Sequence, residues 1–267
     1  MTSTILYGIA FALIIYIVVN IAKTGRFRLG DAVALLGIVI SVILALGEPL
    51  PNFVKSSTPT IDPTQPLLSD SFDDPAYNGK YNANLWVCNT CTFGAIVSQG
   101  DNSVRLEATN GNGVLTTQSS WLSYQIDYIQ GRLKLENTDS GEINLGFHAT
   151  LDSSNPWTAN CFIQGGQSST NQATYGCSIY TYINEQYKGE YGTEAFVVNY
   201  DEWHTVKIEL VQKTLEIRFY FDNKLIGRHV PTDADELKNK IMGAGFGITT
   251  DTHIVGYVDS VIIQPAK

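Results

Sequence analysis

Two apolar runs open the chain, and short alternating runs fill most of the remainder. Thr4 to Ala22 reads TILYGIAFALIIYIVVNIA. At 1.5 Å rise per residue, a helix of that length crosses a hydrocarbon core of ~30 Å. A second run lies within residues 30–47, with Ala32 to Leu46 as its apolar centre. It is short for a span, which flanking leucines or local thinning of the bilayer can accommodate. Between the runs, KTGRFR at 23–28 carries three basic residues. Basic loops stay on the cytoplasmic side. The pattern therefore predicts a transmembrane hairpin over residues 1–47, with spans at about 4–22 and 30–47 and both ends outside. A cleaved signal peptide fits less well, because MTST supplies no basic start and a second apolar run follows. Residues 48–66 hold five of the nine prolines and read as an extended linker.

From Leu67 onward the period changes. Runs of alternating apolar and polar residues recur between Gly, Asn, Asp and Ser clusters. They include SVRLEAT (103–109), GRLKLEN (131–137), EINLGFHA (142–149), CSIYTYI (177–183), WHTVKIELV (203–211) and LEIRFYF (215–221). A period of two puts alternate side chains on opposite faces of a strand, one toward a core and one toward water. In the last run Leu215, Ile217, Phe219 and Phe221 share the apolar face. Gln212 to Thr214 reads as a tight turn, and Asp222 to Lys224 as the start of a further hairpin. A short helix at 233–240, with Asp233 near its cap, is the single helical segment the domain predicts. Residues 67–267 therefore read as an all-β, two-sheet antiparallel sandwich outside the membrane.

The order of these segments narrows the fold. SDSFDD (69–74) opens the domain, followed by an irregular stretch with Trp86. YIQGRLKLEN (128–137), DEWHTVKIEL (201–210), the hairpin LEIRFYFDNKLIG (215–227) and a closing GYVDSVIIQ (256–264) come after it. The series resembles the concanavalin A-like lectin/glucanase superfamily, including laminin G-type and family 16 glycoside hydrolase jelly rolls. The resemblance implies two antiparallel sheets, one of them concave, with a groove that receives a glycan. It also implies one structural calcium ion, between the first strand and an Asp of the closing strand. Asp259 in YVDSV matches the closing position, and Asp73 or Asp74 the other.

Charge excludes one class of partner. Of 17 basic and 26 acidic residues, 1–67 hold four and three, leaving 13 against 23 and a net charge of −10 for the remainder. Such a domain does not attract a phosphate backbone, so nucleic acid is not expected as a ligand. The absence of any Asn-x-Ser/Thr acceptor agrees with a prokaryotic source.

Four cysteines, Cys88, Cys91, Cys161 and Cys177, make an even set beyond a membrane anchor. They predict two disulfides, Cys88 to Cys91 and Cys161 to Cys177. Two other uses compete. Cys-x-x-Cys is a redox motif in a thioredoxin-like setting, which the β pattern does not supply. A four-cysteine zinc site uses two close pairs, and Cys161 and Cys177 are sixteen apart.

Family 16 enzymes resemble one another in a Glu-x-Asp-x-Glu strand that carries the retaining pair of carboxylates. Here the nearest strand reads Glu142-Ile143-Asn144-Leu145-Gly146, with Asn and Gly at the second and third positions. The four His residues are scattered and show no metal-ligand spacing. A binding face has more support. Glu142, Asn144 and His148 share one side of a strand with Gly146. Ser178, Tyr180, Tyr182 and Asn184 share a side of another, and Trp121, Tyr124 and Trp157 offer further ring surfaces. Rings beside a few polar groups suit sugars. The expected function is a non-catalytic, lectin-like module tethered outside the plasma membrane, with a polysaccharide or glycoprotein as ligand. The rivals are a glycoside hydrolase with displaced acids and a protein-interaction or envelope-scaffold module.

Overall fold

The alternation read from the sequence is realised strand by strand. The computed structural model describes residues 62–89, 91, 95–136, 140–150, 156–166, 172–183 (side chains through 181) and 186–267. The predicted membrane hairpin and all of the linker before residue 62 lie outside the described residues. Among those described, no helix is long and apolar enough to cross a membrane. The strands belong to one compact unit, Ile61–Lys267.

In chain order they are β1 (Leu68–Asp70), β2 (Trp86–Cys88), β3 (Ala95–Gly100), β4 (Ser103–Thr117), β5 (Trp121–Leu122), β6 (Ile126–Leu135), β7 (Gly141–Thr150) and β8 (Pro156–Gly165). There follow β9 (Gln172–Ile183), β10 (Gln186–Gly192), β11 (Phe196–Asn199), β12 (His204–Val211), β13 (Glu216–Phe221), β14 (Lys224–His229) and β15 (Ile241–Pro265). Helix α1 (Ala234–Leu237) precedes the last strand and is shorter than the sequence predicts. Asp233 stands at its N-cap position, but its side chain makes no capping bond.

Two long strands, β4 and β15, run through the whole molecule and bend near their middles. Their mutual pairing shifts register between Thr250 and His253, and Asn110 adopts a positive φ of 49° at the matching point. The N-terminal half of β15 pairs with β7, through Met242–Thr249. Its C-terminal half pairs with β6, through Gly256–Pro265. One wing thus runs β15–β7–β8–β9, with β10 and β11 both on β9. The other runs β15–β6–β12–β13–β14. All the pairings named here are antiparallel.

The wings pack face to face, as two-sheet sandwiches do. Rings meet across the interface: Tyr175 of β9 lies 4.1 Å from Phe221 of β13, and Tyr191 of β10 stacks on Phe219 at 6.0 Å. Strand β12 shows the period most plainly, with His204, Val206, Ile208 and Leu210 buried and the residues between them part-exposed. Its turn into β13 is the tight turn predicted, closed by Leu215 N–H on the Val211 carbonyl at 2.7 Å. Asp222 and Asn223 both take positive φ, 45° and 65°. That is the two-residue hairpin whose backbone twist matches the strands. At the other end of the core, Trp86 is fully buried against Phe246 at 4.8 Å, and its indole N–H donates to Asp70 Oδ2 at 2.7 Å.

Candidate glycan-binding face

Strand β7 positions the site. Ile143, Leu145, Phe147 and Ala149 are buried in the core. Alternation therefore turns Glu142, Asn144, Gly146 and His148 to the other face, as the sequence predicts. Registers extend this row sideways. On β8, Gln164, Phe162, Asn160 and Thr158 stand opposite Glu142, Asn144, Gly146 and His148. On β9, Thr174, Gly176, Ser178 and Tyr180 continue the same four rows. On β15 the partners are Thr249, Gly247, Gly245 and Gly243.

Hydrogen bonds stiffen the row. Asn144 Nδ2 donates to Glu142 Oε1 at 3.1 Å, and Ser178 Oγ donates to Asn160 Oδ1 at 2.7 Å. Tyr180 lies 5.2 Å from the ring of Tyr187, which is 60% exposed on β10. The Phe162 ring lies over Gly176, where an added Cβ would meet it at 3.0 Å. His148 likewise lies against Gly243, and a Cβ there would collide with the imidazole. Beyond His148 the face deepens into a cleft of about 510 Å³, walled by Ser120, Thr150, Asn239 and Lys240 among others.

Burial sets the charge state of two groups on this face. Removal from water pushes the Glu142 carboxyl up, and the bond from Asn144 offsets part of that. Burial pushes the His148 imidazole down. The folded protein therefore holds the Glu142 proton more tightly than the unfolded chain does. Ionised Glu142 costs stability above its raised folded-state value, and the cost is absent below the ordinary carboxyl value of 4.5. Glu142→Gln is expected to raise the melting temperature near pH 7 and to leave it unchanged below about pH 4, as followed by thermal denaturation across pH.

Several predicted site residues stand elsewhere. Trp157 is on β8, but on its inward side: it is fully buried, and its indole N–H has no partner among the described residues. It is a core residue and offers no ring to a ligand, because alternation puts residue 157 on the opposite side from Thr158. Trp121, on β5, packs its partly buried ring against the core. Tyr124 is 47% exposed in the short helical turn after it. Tyr182 pairs with Tyr187 through the backbone; its side chain, and all of Asn184, lie outside the described residues.

The cysteines form both predicted disulfides. Cys161 and Cys177 face each other directly in the β8–β9 register, with Cα atoms 3.9 Å apart, on the buried side of the face. Cys88 and Cys91 close a small ring after β2. Paired in this way, the thiols leave neither a zinc site nor a dithiol.

The donors around Asp259 do not fit the calcium expectation. Its Oδ2 already receives Arg132 Nη1 at 3.0 Å, and its Oδ1 receives Ser260 Oγ at 2.7 Å. Asp73 is exposed, and Asp74 caps a short helical turn through the Ala76 amide. Among the described residues, no group of three or more His, Cys, Asp or Glu side chains could hold a metal ion.

No protein-family model and no curated protein matches the sequence. Solved structures match by shape. One is SCLam, a non-specific endo-β-1,3(4)-glucanase from family 16, at 13% identity and TM-score 0.56, over 76% of this chain and 91% of that one. Another is LamA from Zobellia galactanivorans in complex with laminaritriose and laminaritetraose, at 10% identity and TM-score 0.51, over 75% and 98%. A third comes from work on endo-acting O-glycanases of the human gut microbiota, at 15% identity and TM-score 0.56, over 76% and 100%.

The chain shares the jelly-roll fold of these solved structures.

Within this jelly roll, Glu142 is the single carboxylate that β7, β8, β9 and the β7-paired stretch of β15, residues 242–249, carry on the β7 face. A retaining glycosidase needs two, ~5–5.5 Å apart. Gly146, two residues beyond Asn144, is closed to any side chain, because a Cβ there would collide with the Ala159 carbonyl of β8. The β8 row and the glycines of β15 join the face without having been expected from the sequence. The alternation MGAGFGI at 242–248 was the available signal, with every second residue small and the others apolar.

Proposed function

We propose that the β7 face binds a glycan chain and does not cleave it. The observation that carries this reading is the strand Glu142-Ile143-Asn144-Leu145-Gly146, outward-facing at alternate residues yet bearing one carboxylate. The close approach of β8 at Gly146 leaves no room for an acid there. The polar row of Glu142, Asn144, Asn160 and Ser178 beside the Phe162 and Tyr180 rings supports binding. Sugars combine stacking on apolar ring faces with a few fixed hydrogen bonds. The fold shared with the LamA variant solved in complex with laminaritriose and laminaritetraose supports a sugar as the ligand class.

Calorimetry of residues 62–267 against a panel of β-glucan oligosaccharides tests both halves of the proposal, together with an assay for new reducing ends. Micromolar to millimolar binding without product is the expected result. Tyr180→Ala should weaken binding about tenfold, the ~1.4 kcal/mol expected for loss of a stacking ring, while the melting temperature stays near that of the parent. A blank panel, or steady release of reducing ends, would overturn the proposal.

The same reading places the module outside the plasma membrane on the hairpin of residues 1–47. Two apolar runs around a basic loop support this, and so do the two disulfides, which persist in oxidising compartments. Full-length protein should sediment with membranes and resist thiol alkylation until reduced. Recovery in the soluble fraction with reactive thiols would count against the placement.

A further inference from the structure

The cleft at the His148 end of the β7 face differs in charge from the rest of the domain. Residues 68–267 carry an excess of acids and repel anions at long range. Among the described residues, none that lines the cleft is a carboxylate. Its walls are formed by Lys240, Asn239, Ser120, Thr150 and His148, with apolar Ala149 and Ile241 between them. At the opposite end of the same β7 row stands Glu142, six residues and roughly 20 Å away along the strand. Among the described residues the face therefore carries a carboxylate at one end and a lysine at the other.

The cationic end is held in place by the fold. Ser123 is fully buried, and its hydroxyl lies 2.7 Å from the carbonyl oxygens of both Leu237 and Lys238. The Ser123 amide donates to the Lys240 carbonyl at 3.0 Å, and the Lys240 amide donates to the Leu237 carbonyl at 3.0 Å. These bonds tie the segment carrying Asn239 and Lys240 to the turn after β5. The Lys240 ammonium meets Glu236 Oε1 at 3.2 Å, a pair one helical turn apart whose carboxylate is 46% exposed. A pair so open to water contributes little and yields to a better-placed anion. Across the cleft, Gly243 makes room for the His148 ring. Burial holds that imidazole neutral at neutral pH, as a hydrogen-bonding wall and not a second cation.

We infer that this end of the face takes an acidic sugar residue, so that the ligand is an anionic glycan whose carboxylate meets Lys240 and the Asn239, Ser120 and Thr150 donors. The inference rests on the glycan reading of the β7 face and adds the chemical class of its ligand. A cleft of about 510 Å³ has the size of ordinary small-ligand sites. A charge-assisted bond is roughly twice as strong as a neutral one, which sets the expected preference.

The test uses a matched pair of probes: laminaritetraose, and the same chain with its C6 hydroxymethyl groups oxidised to carboxylates. At an ionic strength of about 0.15 M, where long-range repulsion from the acidic domain is screened, the oxidised chain should bind about five- to tenfold more tightly than the neutral one. Lys240→Gln should bring the ratio to near one, and Lys240→Arg should keep most of it. The melting temperature of each variant reports whether the fold is retained. Binding of both chains with equal affinity would overturn the inference and leave the glycan reading standing. So would a preference that survives in Lys240→Gln. Binding of neither chain would remove the glycan reading, and this inference with it.

Discussion

Replacing Trp157 with alanine is expected to cost about 3–5 kcal/mol of stability, the range for emptying a large aromatic from a packed core. The indole is fully buried on the inward side of β8, and alanine would leave a cavity that close-packed neighbours fill only in part. For a domain of about 200 residues this corresponds to a fall in melting temperature of roughly 6–20 °C. Denaturant or thermal unfolding measures it directly. The same variant separates two roles that the sequence leaves together. If Trp157 were a sugar platform, its loss would abolish binding and leave stability nearly unchanged. From its buried position the opposite is expected: folded Trp157→Ala at low temperature should bind glycan much as the parent does. A stable variant that cannot bind would contradict the placement of residue 157.

Removing the Cys161–Cys177 bridge is expected to have an effect of similar size. The bridge closes a loop between residues sixteen apart, worth about 3 kcal/mol if it acts by restricting the unfolded chain. It joins the two strands that carry the Asn160 and Ser178 side of the β7 face, from below. The double substitution Cys161→Ala with Cys177→Ala should therefore lower the melting temperature by roughly 6–12 °C. It should also loosen glycan binding, because the Ser178–Asn160 hydrogen bond depends on the β8–β9 register. The Cys88–Cys91 ring closes far less chain, and its removal should cost correspondingly less. Chemical reduction followed by calorimetry compares the parent with each pair of substitutions. Equal losses from the two pairs would show that loop closure is not the source of the stability.

Both predictions come from the same strand, and they show where local pattern stops being informative. Period-two alternation in EINLGFHA assigned Glu142, Asn144, Gly146 and His148 to one face, and the structure agrees. A single strand suffices for that, because the pleat alone decides which residues share a side. The pattern PWTANCFIQG at 156–165 is different. Trp157, Ala159, Cys161 and Ile163 alternate with Thr158, Asn160, Phe162 and Gln164, and large rings stand in both sets. Hydropathy already favours the first set as the inward one, and reading Trp157 as a surface ring set it apart from its three apolar companions. The neighbouring strands decide it: Cys161 must face Cys177, and that pair is buried.

The glycines make the same point. MGAGFGI reads as a small-residue stretch until β7 and β4 are placed on either side of it. Gly243 then makes room for the His148 ring, and Gly245 lies where a Cβ would come within 2.6 Å of the Leu115 carbonyl. Asp259 was legible as a strand acid, but Arg132, 127 positions away, is its partner only because β6 and β15 pair. Lys240 gains its place at the cleft through Ser123, more than a hundred residues earlier.

By itself, then, the sequence determined the all-β class of the C-terminal two hundred residues, the identity of the outward row on β7, the pairing of four cysteines and the lack of a second acid on that strand. Each of these depends on spacing along one segment or on the number and separation of one residue type. Tertiary structure alone decided which residues of distant strands meet, which cation sits at the end of the face, and that no acid fits at Gly146. Those facts depend on which strands lie side by side. Register between distant strands is set by packing over the whole core, where the free energy belongs to many residues at once and to no single stretch of chain.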